Sequence, residues 1–522
     1  MKNHEIAAAW AYHNGTKHSS ESIRRNAHYL DWENRPLPFK IYPKLEAIPL
    51  RQQLSSSGMP TLTAISASGA DPEQGVNPTS QTLAEMLFLS AGITRRRSYP
   101  GGEILFRAAA CTGALYHIDL YVVCGDLEDL EAGVYQFSPQ DFSLRKLRAG
   151  DYRTVLVAAS GEEVAIADAP CVIVSASTFW RNAWKYQARA YRHCYWDNGT
   201  VLANLFAAAA ARKIPAKLVL GFVDADVNQL LALDPKREAP LSLVALGHSA
   251  AGRIGRSPPL APLVLETTPL SRTEVDYPAM RAIHEASSLE SGEEVTAWRE
   301  RAKKAGDKRL EDNRANGDRL FVLQPFDDPA LPRDTIEEVI VRRGSTRQFA
   351  RESISFAQLS TMLDRATHDI AADFFDGAGD SLNDIYLIVH AVDDLAPGAY
   401  FYRRADRALQ LLKEGDFRRD AGYLGLGQEI PADCSVNVYF LADLNLVLER
   451  VGNRGYRAAQ LEASIKGGKL YLAAYAQRLG ASGLTFFDDD VTAFFAPHAE
   501  GKSVMFLIAL GKSVKKKGLN VI

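Results

Sequence analysis

Apolar and polar positions along this chain fall into a few textures, and those textures return in the same order further on. The runs HIDLYVVC (117–124) and NDIYLIVH (383–390) alternate, and they are rich in β-branched side chains, which predicts strands. CVIVSAS (171–177) and VNVYFLA (436–442) are short continuous apolar runs, the pattern of strands buried on both faces. Periodicity of three and four predicts helices over 197–213 and 462–479, with Gly480 as the C-cap of the second. The Ala-rich stretch 201–211 is far shorter than the ~20 residues that span a bilayer and reads as a buried helix. Strands and helices mixed in this way predict an α+β fold.

The recurrence has a constant offset. GVYQF at 133–137 returns as GAYFY at 398–402, 265 positions later. The same offset carries Gly150-Asp151-Tyr152-Arg153 onto Gly415-Asp416-Phe417-Arg418, and Arg189, Tyr191 and Arg192 onto Arg454, Tyr456 and Arg457. It also pairs Tyr121 with Tyr386, Phe222 with Phe487 and Asp224 with Asp489, whereas VALG (244–247) and IALG (508–511) match at 264. Matches in one register over such a span mean duplication. The chain divides into copy one (1–250), a linker or arm (251–335) and copy two (336–522). From 252 the linker starts Pro-rich (RSPPLAPL) and becomes charged (SGEEVTAWRERAKKAGDKRLEDNRA), which reads as a solvated helix or as an arm wrapping the other copy.

Composition narrows the classes. The 522 residues are 47% hydrophobic and 24% charged, a globular balance, and 60 basic against 63 acidic residues give a charge of −3. A nucleic-acid binder relying on a general positive field is excluded. Five cysteines with no CxxC spacing argue against a disulfide framework or a zinc site and favour a reducing cytoplasm. The start, MKNHEIAAAWAYHNG, lacks a signal-type apolar region, so neither export nor membrane attachment is expected. No HExxH, GxSxG or GxxxxGK[ST] occurs, and Pro100-Gly101-Gly102 reads as a turn.

Three segments carry candidate chemistry. VRRGSTRQF (341–349) sets Arg342, Arg343, Ser345 and Arg347 within six residues, a set able to grip a phosphate through charge-assisted bonds, or simply a solvated face. In WKYQARAYR (184–192), Lys185, Arg189 and Arg192 share a helix face. Lys185 and Tyr186 are adjacent, so both enter one site only if the segment starts as a turn, and an ammonium beside the phenol would lower its pKa. FRAAACTGALYHIDLYVV (106–123) is a small-residue loop feeding a strand, with room for a planar ligand on Cys111-Thr112-Gly113-Ala114 and Arg107 at its polar edge.

In this order the pieces resemble the nitroreductase superfamily of FMN enzymes, and within it the SagB-type dehydrogenase branch in tandem form. The resemblance rests on YHNGTKHSSES…LDWENRPLPFKIYP (12–43), CTGALYHIDLYVV, GVYQFSP…LRAGDYR and KYxxRxYR. RRGSTRQF resembles the element that binds FMN phosphate in that family, and LGFVDAD (220–226) and LTFFDDD (484–490) resemble the segment flanking the flavin ring. All but the linker and 50–80 is covered. The departures are Ala110, Cys111 and His117, where the family's loop usually has proline, serine and proline.

The resemblance implies two nitroreductase-like α/β domains forming an intramolecular pseudo-dimer, with further pairing of chains left open. It implies FMN with its phosphate on Arg342, Arg343, Ser345, Arg347 and Lys512, and its ring near Arg107, Cys111, Thr112, Gly113, Leu115, Arg189, Thr485 and Phe486. Lys185 and Tyr186 would be the catalytic pair. Copy two has Arg450-Val451 in their place, Ala372 in place of Arg107, and DGAGDSLN (376–383) as its loop. Copy one offers only Lys17-His18-Ser19 against the Arg cluster, so one good FMN site and one eroded site are expected. The implied activity is dehydrogenation of a C–N bond, azoline to azole, on a small-molecule or modified-peptide substrate, with hydride passing to the flavin. The alternatives are an NAD(P)H-dependent nitro or quinone reductase and a flavin-free binding paralogue.

Overall fold

The computed structural model describes residues 2–26, 28–67, 75–99, 102–249, 257–306, 319–377 and 379–514. The Pro100-Gly101 turn, residues 252–256 and 307–318 of the linker, and Lys515–Lys517 lie outside them.

Each copy builds one antiparallel seven-stranded sheet. In copy one the spatial order is Ala47–Pro49, Ser143–Ala149, Gly133–Ser138, Ile118–Cys124, Cys171–Thr178, Glu238–Leu246 and Ala216–Val219. Copy two repeats it as Leu320–Val322, Ala408–Glu414, Gly398–Arg403, Asp384–Val389, Val436–Ala442, Ser503–Gly511 and Gly480–Leu484. The duplication reaches the irregularities. Register shifts fall between Val134 and Tyr135 and between Ala399 and Tyr400, and again between Ser175 and Ala176 and between Phe440 and Leu441. Both pairs are 265 residues apart.

The long helices Ala190–Ala211 and Arg454–Ala476 pack on each other at the centre, almost wholly buried. A Cβ on Gly199 would collide with Ser464, whose hydroxyl donates to the Tyr195 carbonyl at 2.8 Å, so the crossing requires glycine there. Two buried clamps tie the copies reciprocally. Arg189 and Arg192 of copy one meet Asp488 at 2.9 and 2.5 Å, and Arg454 and Arg457 of copy two meet Asp224 at 2.6 Å each. Asp488, not Asp489, is therefore the counterpart of Asp224. The one-residue gap lies before this position, and not beyond it as the 265 register held.

Two further expectations change. The second long helix ends at Ala476, and Gly480 opens the edge strand instead of capping it. A side chain there would strike Thr346 and Ser513, whose loops close over the strand. The described part of the linker is no solvated helix. Helices Pro278–Ala286 and Gly292–Gly306 bury Met280, Ile283, Val295 and Trp298, and Arg299 bonds the Ser160 carbonyl of copy one while pairing with Asp373 of copy two at 3.5 Å. Among the described residues no helix is long and apolar enough to cross a membrane.

Candidate active site

The helix Phe179–Tyr186 breaks at Gln187, whose φ of 51° falls in the left-handed region, before the chain re-enters helix at Ala190. The segment does not start as a turn: Lys185 and Tyr186 are the last two residues of the helix, and Lys185 Nζ lies 5.3 Å from the centre of the Tyr186 ring. Tyr186 in turn covers the loop of copy one. A Cβ on Gly113 (φ 64°) would stand 2.7 Å from the Tyr186 hydroxyl, so only glycine fits beneath it. Burial raises the Tyr186 phenol well above its ordinary value, with Asp197 and Cys111 adding to it. The sequence reading had the opposite sign: desolvation here outweighs the nearby cations, and Tyr186 keeps its proton. Lys185 moves down, through burial first and then the charges of Arg347 and Arg35.

Arg347 belongs to copy two, and its charge acts on both members of the pair. Its loop is fixed by Thr346, which donates its N–H to the Ala481 carbonyl at 2.8 Å and exchanges a hydrogen bond with Ser513 at 3.1 Å. Ser345 meets the Tyr471 hydroxyl at 3.3 Å, and Lys512, half-exposed, pairs with Glu352 at 3.4 Å. Two expected members of this group are engaged otherwise. Arg342 pairs with Asp334 at 2.7 Å and donates to the Tyr475 carbonyl at 2.8 Å, because it sits in the last turn of its helix and is directed away. Arg343 is buried and reaches across to the Ala108 and Arg107 carbonyls of copy one at 3.0 and 3.2 Å. It fastens the two loops together.

The loop of copy one is held from below by Asp197. Thr112 donates its N–H (2.9 Å) and hydroxyl (2.8 Å) to Oδ1, while the Cys111 thiol at 3.0 Å and His117 Nε2 at 2.9 Å meet Oδ2. Leu115 is buried under the loop, and Arg107 donates to the Pro38 carbonyl at 2.6 Å between the Phe39 and Tyr116 rings. Burial holds the Arg107 guanidinium down at about 10, and pushes the Cys111 thiol well up.

Arg189, expected at the cofactor, is first an interface residue, since its Nη1 serves Asp488 and the Thr16 carbonyl. Its Nε and Nη2, the Thr485 hydroxyl and His193 Nε2 are buried without a hydrogen-bond partner. Around them Trp196 packs 5.6 Å from Phe486 and 4.9 Å from His193, and Arg189 lies over both the Trp196 and Phe486 rings. Orphaned donors and an acceptor beside aromatic rings, contributed by both copies, fit the polar edge of a flavin. His193 and Trp196 were absent from the sequence reading. A turn-by-turn view of the helix after Arg189 would have placed both on the Lys-Tyr side.

The mirror-related arrangement, with copy one supplying the phosphate loop, differs in sequence. By element order, the counterpart of RRGSTRQF lies between the helices Thr61–Ser66 and Ser80–Ala91, as 343–349 lies between Ile336–Arg342 and Phe356–Ala366. Residues 67–79, ASGADPEQGVNPT, contain no Lys or Arg. Lys17-His18-Ser19, read from sequence as the counterpart, instead packs against copy two, with His18 N–H donating to Asp488 at 2.8 Å and Lys17 pairing with Asp489 at 2.7 Å.

Two α+β copies, each with an antiparallel seven-stranded sheet, share one interface, and the residues at the broken helix are drawn from both. The profile of the Nitroreductase family matches residues 83–248 and 340–512, and the chain belongs to that family, with two copies in tandem. Its relatives include proteins from Anabaena variabilis ATCC 29413 and Methanocaldococcus jannaschii that both bear the name "putative nitroreductase". The Anabaena crystal structure superposes with a TM-score of 0.76 at 26% identity, over 97% of this chain and 99% of its own. The Methanocaldococcus protein, MJ1384, is 27% identical over 170 residues, 33% of this chain and 81% of its own. The E. coli microcin synthetase McbBCD complex with truncated pro-MccB17 bound is a remoter likeness that carries no argument, at 19% identity and a TM-score of 0.30 over 46% of this chain and 92% of that one.

Proposed function

We propose that this nitroreductase-family oxidoreductase is an FMN-dependent dehydrogenase of the SagB type, oxidising a C–N bond of an azoline-like substrate at one site per chain. The observation that carries the reading is the Lys185-Tyr186 pair of copy one, seated on Gly113 and within the field of Arg347 from copy two. FMN, when bound, supplies the two-electron redox chemistry. Ser345, Arg347 and Lys512 would hold its phosphate, residues 111–115 would cover its ring, and Thr485, Phe486 and the free donors of Arg189 would meet its edge. Lys185, held below its ordinary value, is the group suited to take a substrate proton, and Tyr186, held above its own, is suited to donate a hydrogen bond.

Flavin released by denaturation, divided by protein, should give a ratio near one. A ratio near two would overturn the single-site reading, and a ratio near zero would favour a flavin-free binding protein. Arg347→Ala should weaken FMN binding by about 1.5–3 kcal/mol, since it withdraws a charged donor, while Thr79→Ala in copy one leaves retention unchanged. A holoprotein that reduces nitroaromatics with NAD(P)H but leaves azoline peptides untouched would replace dehydrogenation with the reductase reading.

A further inference from the structure

Asp197 and Glu462 occupy equivalent positions, 265 residues apart, and each carboxylate holds the loop of its own copy. Glu462 accepts from the Ser381 hydroxyl, the Leu382 N–H and the Asn383 amide, as Asp197 accepts from Thr112. Holding the loop therefore needs neither thiol nor imidazole. What differs is the charge beside the carboxylate. In copy two the Lys466 ammonium sits on Glu462, both groups buried. In copy one the position of Lys466 is Val201, and among the described residues no Lys or Arg pairs with Asp197, although it is only 4% exposed. A buried carboxylate without a cation is costly. In that place stand Cys111 and His117, two of the three departures from the family's loop, both on the same oxygen of Asp197.

We propose that Cys111, His117 and Asp197 bind a thiophilic divalent cation such as zinc, which takes the place that the Lys466 ammonium fills in copy two. The ligand atoms of the three lie within 4.8 Å of one another. Thiolate, imidazole and carboxylate are the donor set zinc prefers, and three protein ligands leave one exchangeable position. A small cavity lined by Cys111, Asp197 and Val201 adjoins the cluster, with room for about one water molecule to serve as that fourth ligand. The contacts at 2.9 and 3.0 Å are hydrogen-bond lengths, and each must open by roughly half an ångström to become an edge of a zinc tetrahedron. Uptake balances simply. The thiol proton leaves to solvent, and the bound imidazole presents Nε2 to the metal and keeps its proton on Nδ1, where Ser177 Oγ, now 2.8 Å away, accepts it. Arg107 lines the same cavity, and its charge favours the thiolate.

The test uses the full chain, stripped with a chelator and titrated with Co²⁺ as the spectroscopic stand-in for zinc. One Co²⁺ per chain should bind, with d–d bands to the red of flavin absorption and the intensity of a thiolate-bound tetrahedral ion. Cys111→Ser should remove the thiolate signature and weaken binding, Ser177→Ala should weaken it about 10–100-fold through the lost outer partner, and Cys434→Ser should change nothing. Absence of uptake by the wild-type chain in equilibrium dialysis would overturn the proposal. Uptake that Cys111→Ser leaves intact would overturn it equally. Should Cys111→Ser not fold, the wild-type spectrum and Ser177→Ala still decide.

Discussion

Two regions related by the duplication have fared differently. At the interface, Arg189 and Arg192 close on Asp488 as Arg454 and Arg457 close on Asp224, so the clamps match residue for residue. Around the half-sites, Cys111-Thr112 in the loop stands against Asp376-Gly377, Lys185-Tyr186 at a helix end against Arg450-Val451, and Val201 within the long helix against Lys466. The difference is one of charge pairing. Altering any one member of a clamp strands a charge shared by both copies in the interior, whereas a half-site residue touches its own copy's loop and can change when its neighbours there change with it. Duplication thus holds the scaffold symmetric and frees the half-sites to diverge, provided each copy keeps what the other lacks.

The clamps offer the largest effect. Asp224→Asn and Asp488→Asn should each destabilise the chain by about 3–5 kcal/mol in urea unfolding, because each leaves two buried guanidinium groups without their carboxylate. Asp224 is held down at about 2, with its two arginines outweighing burial. A carboxylate depressed in this way stabilises the fold above its unfolded value near ~3.9, and that contribution is lost as the pH falls toward 2. Wild type should therefore lose this part of its stability between about pH 4 and 2, and Asp224→Asn should not show that loss. If one variant is neutral and the other severe, the interface is not symmetric in energy and the comparison fails.

Catalysis should show the opposite, one-sided pattern. Lys185→Ala and Tyr186→Phe should lower dehydrogenase turnover by about 10²–10⁴-fold with flavin content unchanged, the usual range for a positioned acid or base. Arg450→Ala, at the equivalent place in copy two, should leave turnover unaltered. Equal losses on both sides would mean two working sites per chain.

Much of the fold was legible because the strands carry their burial pattern openly; 436–442 is observed as read. The repeat also exposed the pseudo-dimer. The long helices were read too short at their starts, since Ala190–Trp196 buries Arg192 and His193 with its apolar residues and shows no amphipathic stripe. Lys17-His18-Ser19 was read as the phosphate-loop counterpart from its Lys-His-Ser run alone, and that run is engaged by Asp488 and Asp489 of copy two. Asp197 was missed as the anchor of the loop. Its signal was present, as an acidic residue in an apolar helix repeated as Glu462 at the common offset. The meeting of Cys111, His117 and Asp197 is a tertiary fact that no linear metal spacing announces.

The smallest effect sharpens the contrast between Lys185 and its counterpart Arg450. An arginine cannot lose its proton in the working pH range, so copy two has no base at this place, whereas Lys185 is lowered by burial and by the Arg347 and Arg35 charges. A base acts only when neutral, so kcat/KM should rise with pH through the Lys185 pKa and then level off. Arg35 is exposed, lies at the ring of Trp32 and has no place in the phosphate group, which makes it the safer of the two charges to remove. Arg35→Gln withdraws a positive neighbour, raises the Lys185 pKa, and should move the rising limb alkaline by a few tenths of a pH unit, roughly what a screened surface charge exerts. Below the limb the variant should be slower by the same factor, and on the plateau it should equal wild type. Added salt should shrink the difference, and Arg35→Lys should restore the wild-type profile. A limb that stays fixed, or moves toward acid, would assign it to a group other than Lys185.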